Sequence, residues 1–160
     1  MLEETSQLDL VTTLLRTEST LALATADESG GASIAPLFYI ADEALALYWI
    51  SSGTTVHSRN LERDSRASIT IYHSTEHWEE IRGVQMRGCA IPVRDEEHRE
   101  SVIDLYVNRF HLEASFREAI AQSTLYKFCP EFLRYIDNAK GFGYKFELMP
   151  GSDAQGTPCK

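Results

Sequence analysis

The chain has 160 residues, 43% of them apolar and 24% charged, a composition of one soluble globular domain that excludes collagen-like, disulfide-scaffold and solenoid architectures. Fifteen basic side chains against 24 acidic ones leave a formal net charge of −9, so neither nucleic acid nor an anionic membrane surface is an expected partner, and any anion site must be local. The cysteines Cys89, Cys129 and Cys159 are odd in number and form no CxxC pair, which argues against a disulfide framework or a zinc site. The start MLEETSQLDL is acidic and polar, and no run approaches a membrane-spanning length, so a cytoplasmic, reducing setting is expected.

Residues 6–16 place Leu8, Val11, Leu14 and Leu15 at helical spacing, and Ser6 followed by Asp9 resembles a capping box, so an amphipathic helix is expected first. The period then changes to two. Residues 20–26, 32–40 and 45–50 read as strands joined by turns at 27–31 and 41–44, a three-stranded meander. Pro36 lacks a ladder donor, which marks its strand as an edge, a bulge or a segment whose amide side faces a ligand.

A hydroxyl-rich turn at 51–55 leads into a helix over 56–63, with Thr54 or Thr55 placed to cap it. Strands follow at 66–73 and 81–93, the second bent by Gly83 and Gly88. Asp95 then starts a helix with Val102, Ile103, Tyr106, Val107 and Phe110 on one face, and 114–121 is helical again. Residues 141–148 alternate as a closing strand, and 151–160 read as a flexible tail. Turns this short allow only antiparallel pairing, so the expected fold is mainly β, α+β in class: an antiparallel barrel with peripheral helices, one domain over 1–150 followed by the tail 151–160.

The segment LYWISSGTTVHSRNL has the makings of an anion cradle: an apolar strand ends in hydroxyls and opens directly into a helix bearing His57 and Arg59. Free amides at a helix N-terminus point outward with a positive dipole, and Ser51, Ser52, Thr54 and Thr55 add donors. The plainer reading is a capped helix without a ligand. The string HSTEH at 73–77 matches an inverted zinc-protease motif, but it follows a β-period run and reads instead as a polar hairpin turn. Cys89, after Gly88 within a strand, reads as a small core residue. No GxSxG, GxGxxG or Walker A string occurs.

The string from Ser33 through Val93, above all SSGTTVHSRNLERDSRASITI, resembles the FMN-binding split barrel superfamily of pyridoxamine 5′-phosphate oxidase-like proteins. The resemblance implies an antiparallel split β-barrel of FMN-binding type, a flavoprotein and an FMN-dependent oxidoreductase acting with a small-molecule redox partner. It implies a homodimer with flavin sites at the subunit boundary. By position it places Thr55 and His57 at the FMN phosphate, supported by Ser52 and Arg59. Ile50 and Ser51 fall beside the flavin and Ser33 and Pro36 along the ribityl chain; Gln85 could hydrogen-bond the flavin's polar edge, although the oxidase glutamine aligns nearer Gly83, two residues earlier on the same face. Two departures stand out. His57 occupies a position where the family usually has Lys or Arg, and GFGYKFELMPG offers only Lys145 where true pyridoxamine phosphate oxidases carry a basic motif, so that reaction is not expected. A non-enzymatic barrel carrying haem, another tetrapyrrole or a flavin is the alternative from a different class.

Overall fold

The computed structural model describes residues 2–150, the side chains of residues 2–6 and 117 excepted; the expected tail lies outside the described residues. The first helix, α1, runs Leu2–Thr17. It begins ahead of Ser6, so Ser6 and Asp9 lie within the helix and not at the start that the expected capping box marked. One face of α1 buries Val11, Leu14 and Leu15 in the barrel core.

Strands β1 (Thr20–Ala26) and β2 (Ala32–Phe38) form the expected hairpin, in register from Thr20 opposite Phe38 to Ala26 opposite Ala32. Its turn is built on Asp27, whose Oδ1 accepts from the amides of Ser29 and Gly31. The Ser29 hydroxyl, which donates to the same oxygen at 2.7 Å, together with the Gly31 amide, holds the Asp27 carboxyl below its ordinary pKa. The chain continues through the short β3 (Ile40–Ala41) to β4 (Leu47–Ser51), helix α2 (Val56–Arg63) and strands β5 (Arg66–Tyr72) and β6 (Arg82–Pro92). Helices α3 (Glu96–Phe110) and α4 (Arg117–Ala121) intervene before β7 (Thr124–Asp137) and β8 (Lys145–Leu148). Asp95 caps α3 as expected, its Oδ1 accepting from the His98 amide at 2.8 Å.

All strand pairs are antiparallel, and the sheet order is β2-β1-β5-β6-β7-β4-β3, with β8 also on β7. The product is a split β-barrel of the expected class, and β2 is an edge strand, the first of the three readings that Pro36 left open. The expected three-stranded meander is corrected: β4 does not continue the β1–β2 hairpin but crosses to pair with β7, Leu47 opposite Phe128 and Ser51 opposite Thr124. Its β-period run is the same in either arrangement, because alternation fixes which side chains face the core and not which strand is the neighbour.

The 14-residue β7 is the strand that local patterning passes over. Its inner-face residues Tyr126, Phe128, Leu133 and Tyr135 join Leu21, Leu23, Trp49, Ile69, Ile71, Val84 and Met86 in one core. A second, smaller cluster lies outside the barrel, where Val102 of α3 packs on Ala46, Tyr48 and Leu125. Cys89 is half-buried on the outer face and is not the core residue expected; its Sγ lies 3.7 Å from Oε1 of Glu131.

The β6–β7 register shifts between Arg87 and Gly88. A Cβ on Gly88 would stand 2.0 Å from the carbonyl oxygen of Cys129, so this bulge admits no side chain. Gly88→Ala is expected to lower stability by about 1–3 kcal/mol or more through backbone displacement. Gly53→Ala, where a Cβ meets nothing within 4 Å, should stay within about 0.5 kcal/mol of the parent. Urea midpoints measured side by side check both.

Candidate functional site

The site forms where β4 hands over to α2. Thr55 takes the N-cap position in an extended conformation, and its Oγ1 accepts from the Ser58 amide at 3.3 Å. Its carbonyl accepts the first helical bond, from the Arg59 amide at 3.1 Å. The amides of Val56 and His57 are first-turn donors with no intrahelical partner. Around them lie hydroxyls and the Ser52 carbonyl, which accepts from Thr55 Oγ1 at 3.1 Å. Thr55 Oγ1 is 2.8 Å from Ser58 Oγ and 3.4 Å from Ser51 Oγ, and Ser52 Oγ is 2.9 Å from Thr54 Oγ1. The first turn of α2 carries no acidic side chain, and none occurs in the sequence from Ala44 to Leu61.

His57 lies behind these hydroxyls, 9% exposed, with Nε2 2.7 Å from Ser51 Oγ. Burial pushes its imidazole below the ordinary pKa, because a charged ring there loses hydration. In the tautomer with its proton on Nε2, the neutral ring would donate to Ser51 and leave the Ser51 hydroxyl proton for an acceptor in front of the turn; in the other tautomer Nε2 accepts from Ser51.

Helix α2 is fastened to the β1–β2 hairpin by two long-range bonds. Buried Asn60 donates from Nδ2 to Thr25 Oγ1 at 3.0 Å, and Arg63 donates from Nη2 to the Ala26 carbonyl at 2.7 Å. Leu61 of the same helix enters the barrel core. The helix therefore has an apolar anchor and two polar ones, and its N-terminus is held against the end of β4.

The residues singled out in the sequence separate into groups. Ser51, Thr55 and His57 meet directly, Ser52 adjoins them in the turn, and Ser33 stands beside α2 as the register partner of Thr25. Arg59 is on the exposed surface of α2. Ile50 points away from Ser51, into the cluster beneath α3. Pro36 and Gln85 belong to the outer face of the sheet: Gln85 lines a 490 Å³ trough there with Ala22, Ala24, Ile34, Ser68 and Thr70. Pro36 shares the parity of Ile34 on β2. The same trough is lined by Arg87, whose guanidinium lies 4.4 Å over the ring of Phe132, and by Arg134, which pairs with Glu147 at 2.8 Å.

Ser58, Asn60 and Thr25 escaped sequence reasoning. Ser58 carried a signal in the turn's hydroxyl run, whereas the Asn60–Thr25 pair spans 35 residues and leaves no local trace. His73 and His77 of the HSTEH string sit in the β5–β6 connection, where His73 Nδ1 pairs with Glu18 at 3.0 Å. Among the described residues no group of three or more His, Cys, Asp and Glu is placed to hold a metal ion. None of the described helices is long and apolar enough to cross a membrane.

The family model described as Pyridoxamine 5′-phosphate oxidase matches residues 8–137, and the chain belongs to that family. No curated protein matches the sequence. Solved structures agree on the fold. A heme binding protein from Mycobacterium smegmatis superposes with a TM-score of 0.73 at 18% identity, over 89% of this chain and 57% of that one, so this chain spans little more than half its length. The heme storage protein HutZ from Vibrio cholerae gives a TM-score of 0.65 at 22% identity, over 76% of this chain and 87% of that one. General Stress Protein 26 from Bacillus anthracis gives 0.62 at 14% identity, over 89% and 98%.

The depressed His57 pKa has a consequence for stability. In the unfolded chain the imidazole takes up its proton near pH 6.5, whereas the folded protein resists protonation until lower pH. His57 therefore costs nothing above about pH 7 and destabilises the fold progressively as pH falls below about 6.5. His57→Gln should show a shallower loss of stability between pH 7 and 5 than the parent, read as the difference in urea midpoints.

Proposed function

We propose that the protein is an FMN-binding flavoprotein, with the phosphate seated at the N-terminus of α2. The observation that carries this reading is the turn itself: two first-turn amides, the hydroxyls of Ser51, Ser52, Thr54 and Thr55, a buried His57 behind Ser51, and no acidic residue in the sequence from Ala44 to Leu61. Membership of the family supports it. In this reading Ser51, Thr55 and the α2 amides bind the phosphate, His57 orients the Ser51 hydroxyl toward it, and Arg59 lends charge from the helix surface. Ser33 on the hairpin lies along the ribityl chain. The flavin, when bound, supplies hydride or electron transfer with a small-molecule redox partner, while the chain supplies binding, orientation and the local field.

The proposed active assembly is a homodimer, formed through the outer face of the sheet. Ile34 is 73% exposed at one wall of the trough, and Phe132 with its stacked Arg87 forms the other, over a floor of alanine, serine and threonine. A second copy seated there covers Gln85, Pro36 and the trough together, bringing them toward the neighbouring subunit's crevice. Phe132→Glu or Ile34→Glu should then shift the protein toward monomer in sedimentation velocity at micromolar concentration. Monomeric parent protein that still binds FMN would remove the dimer from the proposal.

Loading the purified protein with FMN tests the site. The absorption spectrum separates a flavin from a haem Soret band, and a haem-loaded, FMN-indifferent protein would replace this reading with the tetrapyrrole one. Fluorescence titration should show His57→Ala weakening FMN by about one to two decades, the worth of a charge-assisted contact. Riboflavin, lacking the phosphate, should change little. A dianionic phosphate opposes the desolvation that holds His57 neutral and draws a proton onto it. FMN affinity relative to His57→Gln should consequently fall as pH rises from 6 to 8.

A further inference from the structure

Cys89 on β6 and Cys129 on β7 are direct register partners in the antiparallel ladder, so both side chains leave the same face of the sheet. Their backbone relation follows from neighbouring bonds. The Ala90 amide donates to Ser65 on the β5 side at 2.8 Å, which turns the Cys89 backbone toward β7; the Val93 amide, of the same parity as Cys89, donates to Leu125 at the start of β7. Cys89 and Cys129 are thus a hydrogen-bonded antiparallel pair, whose Cα atoms stand about 5.5 Å apart. That spacing lies inside the range a disulfide spans without backbone movement. Both residues are half-buried, shielded from bulk solvent yet within reach of a small oxidant. Neither has a place in the phosphate cradle.

We propose that Cys89 and Cys129 form a reversible cross-strand disulfide, a redox modification site on the outer face of the barrel, when the protein meets a peroxide. One thiolate attacks hydrogen peroxide, breaking the O–O bond and leaving a sulfenic acid and one water. The second thiol attacks the sulfenic sulfur, the S–S bond forms and a second water departs. Two thiols lose two protons and two electrons, and one peroxide becomes two waters. A dithiol reductant reverses the change by exchange.

The pairing sits one residue beyond the bulge at Gly88, where the β6–β7 register shifts. A bond there clamps the ladder at the point where it is least regular. Strand β7 also carries β4, so the clamp lies on the same strand that positions the α2 turn. The site is independent of whether the cradle takes FMN.

Full-length protein and the Cys159→Ser variant are treated with stoichiometric hydrogen peroxide, alkylated and digested with trypsin. The expected product in both is one species carrying residues 88–94 joined to 128–134, two hydrogens lighter than the reduced pair. Dithiothreitol should restore both alkylatable thiols. Cys89→Ser and Cys129→Ser should each lose that species, and in each the remaining partner thiol should stop at the sulfenic acid, trapped by dimedone. The proposal is overturned if both fragments stay separately alkylated, if each oxidises alone in the parent, or if the linked species contains Cys159 in place of either partner.

Discussion

The pairing of Leu47–Ser51 with Thr124–Phe128 is the constraint on which the candidate site depends. A strand has two edges, and β7 offers one of them whole to β6 while dividing the other between β4 at its start and β8 further along. That division is how a single sheet accommodates a barrel that is split. It also decides where β4 ends. Ser51 lies opposite Thr124, at the first residue of β7, so the chain leaves the sheet there and must turn into α2. The cradle is the place where the ladder runs out.

Core packing and polar anchoring then act on the same helix in different ways. Leu61 supplies apolar burial, which holds α2 to the barrel without fixing its rotation about its own axis. The buried Asn60–Thr25 bond and the Arg63 bond to Ala26 are directional and add that fixity. Burial holds the His57 imidazole below its ordinary pKa, behind the Ser51 hydroxyl. With the phosphate proposed above in front of that hydroxyl, the site would depend on pH in a way that a lysine, charged throughout the same range, would not.

Much of this was legible in the sequence, and the illegible part has a physical cause. The β1–β2 hairpin, α2 with its Thr55 cap, β5, β6 with its glycine bend and the Asp95 cap of α3 are all written in local patterns, because turns, caps and alternation are set by neighbours a few residues apart. The position of β4 is not, since its alternation is satisfied equally beside β2 or beside β7. Strand β7 hid behind Pro130 and Glu131, which interrupt an otherwise apolar alternation at the site facing the Gly88 bulge. At the site, the Ser51–His57 contact came within reach because six residues of turn and helix separate its partners. Ile50 and Pro36 were placed by homologous position alone, and Gln85 by its place on the strand two residues after the family's glutamine position; strand parity sends their side chains to other faces.

Pro36 does more than end the sheet. The Tyr39 amide donates back toward Ser19 beside β1, so alternate residues of the same parity, Leu37, Ala35 and Ser33, also turn their amides inward, and Pro36 faces the open edge. A neighbouring strand approaching that edge finds a gap where the central donor belongs, and the ladder it begins cannot continue. Growth of the sheet by strand addition is blocked at the very border nearest the trough. The rim, where copies would add without limit, is thereby closed, and the flat of the sheet is left for the dimer proposed above.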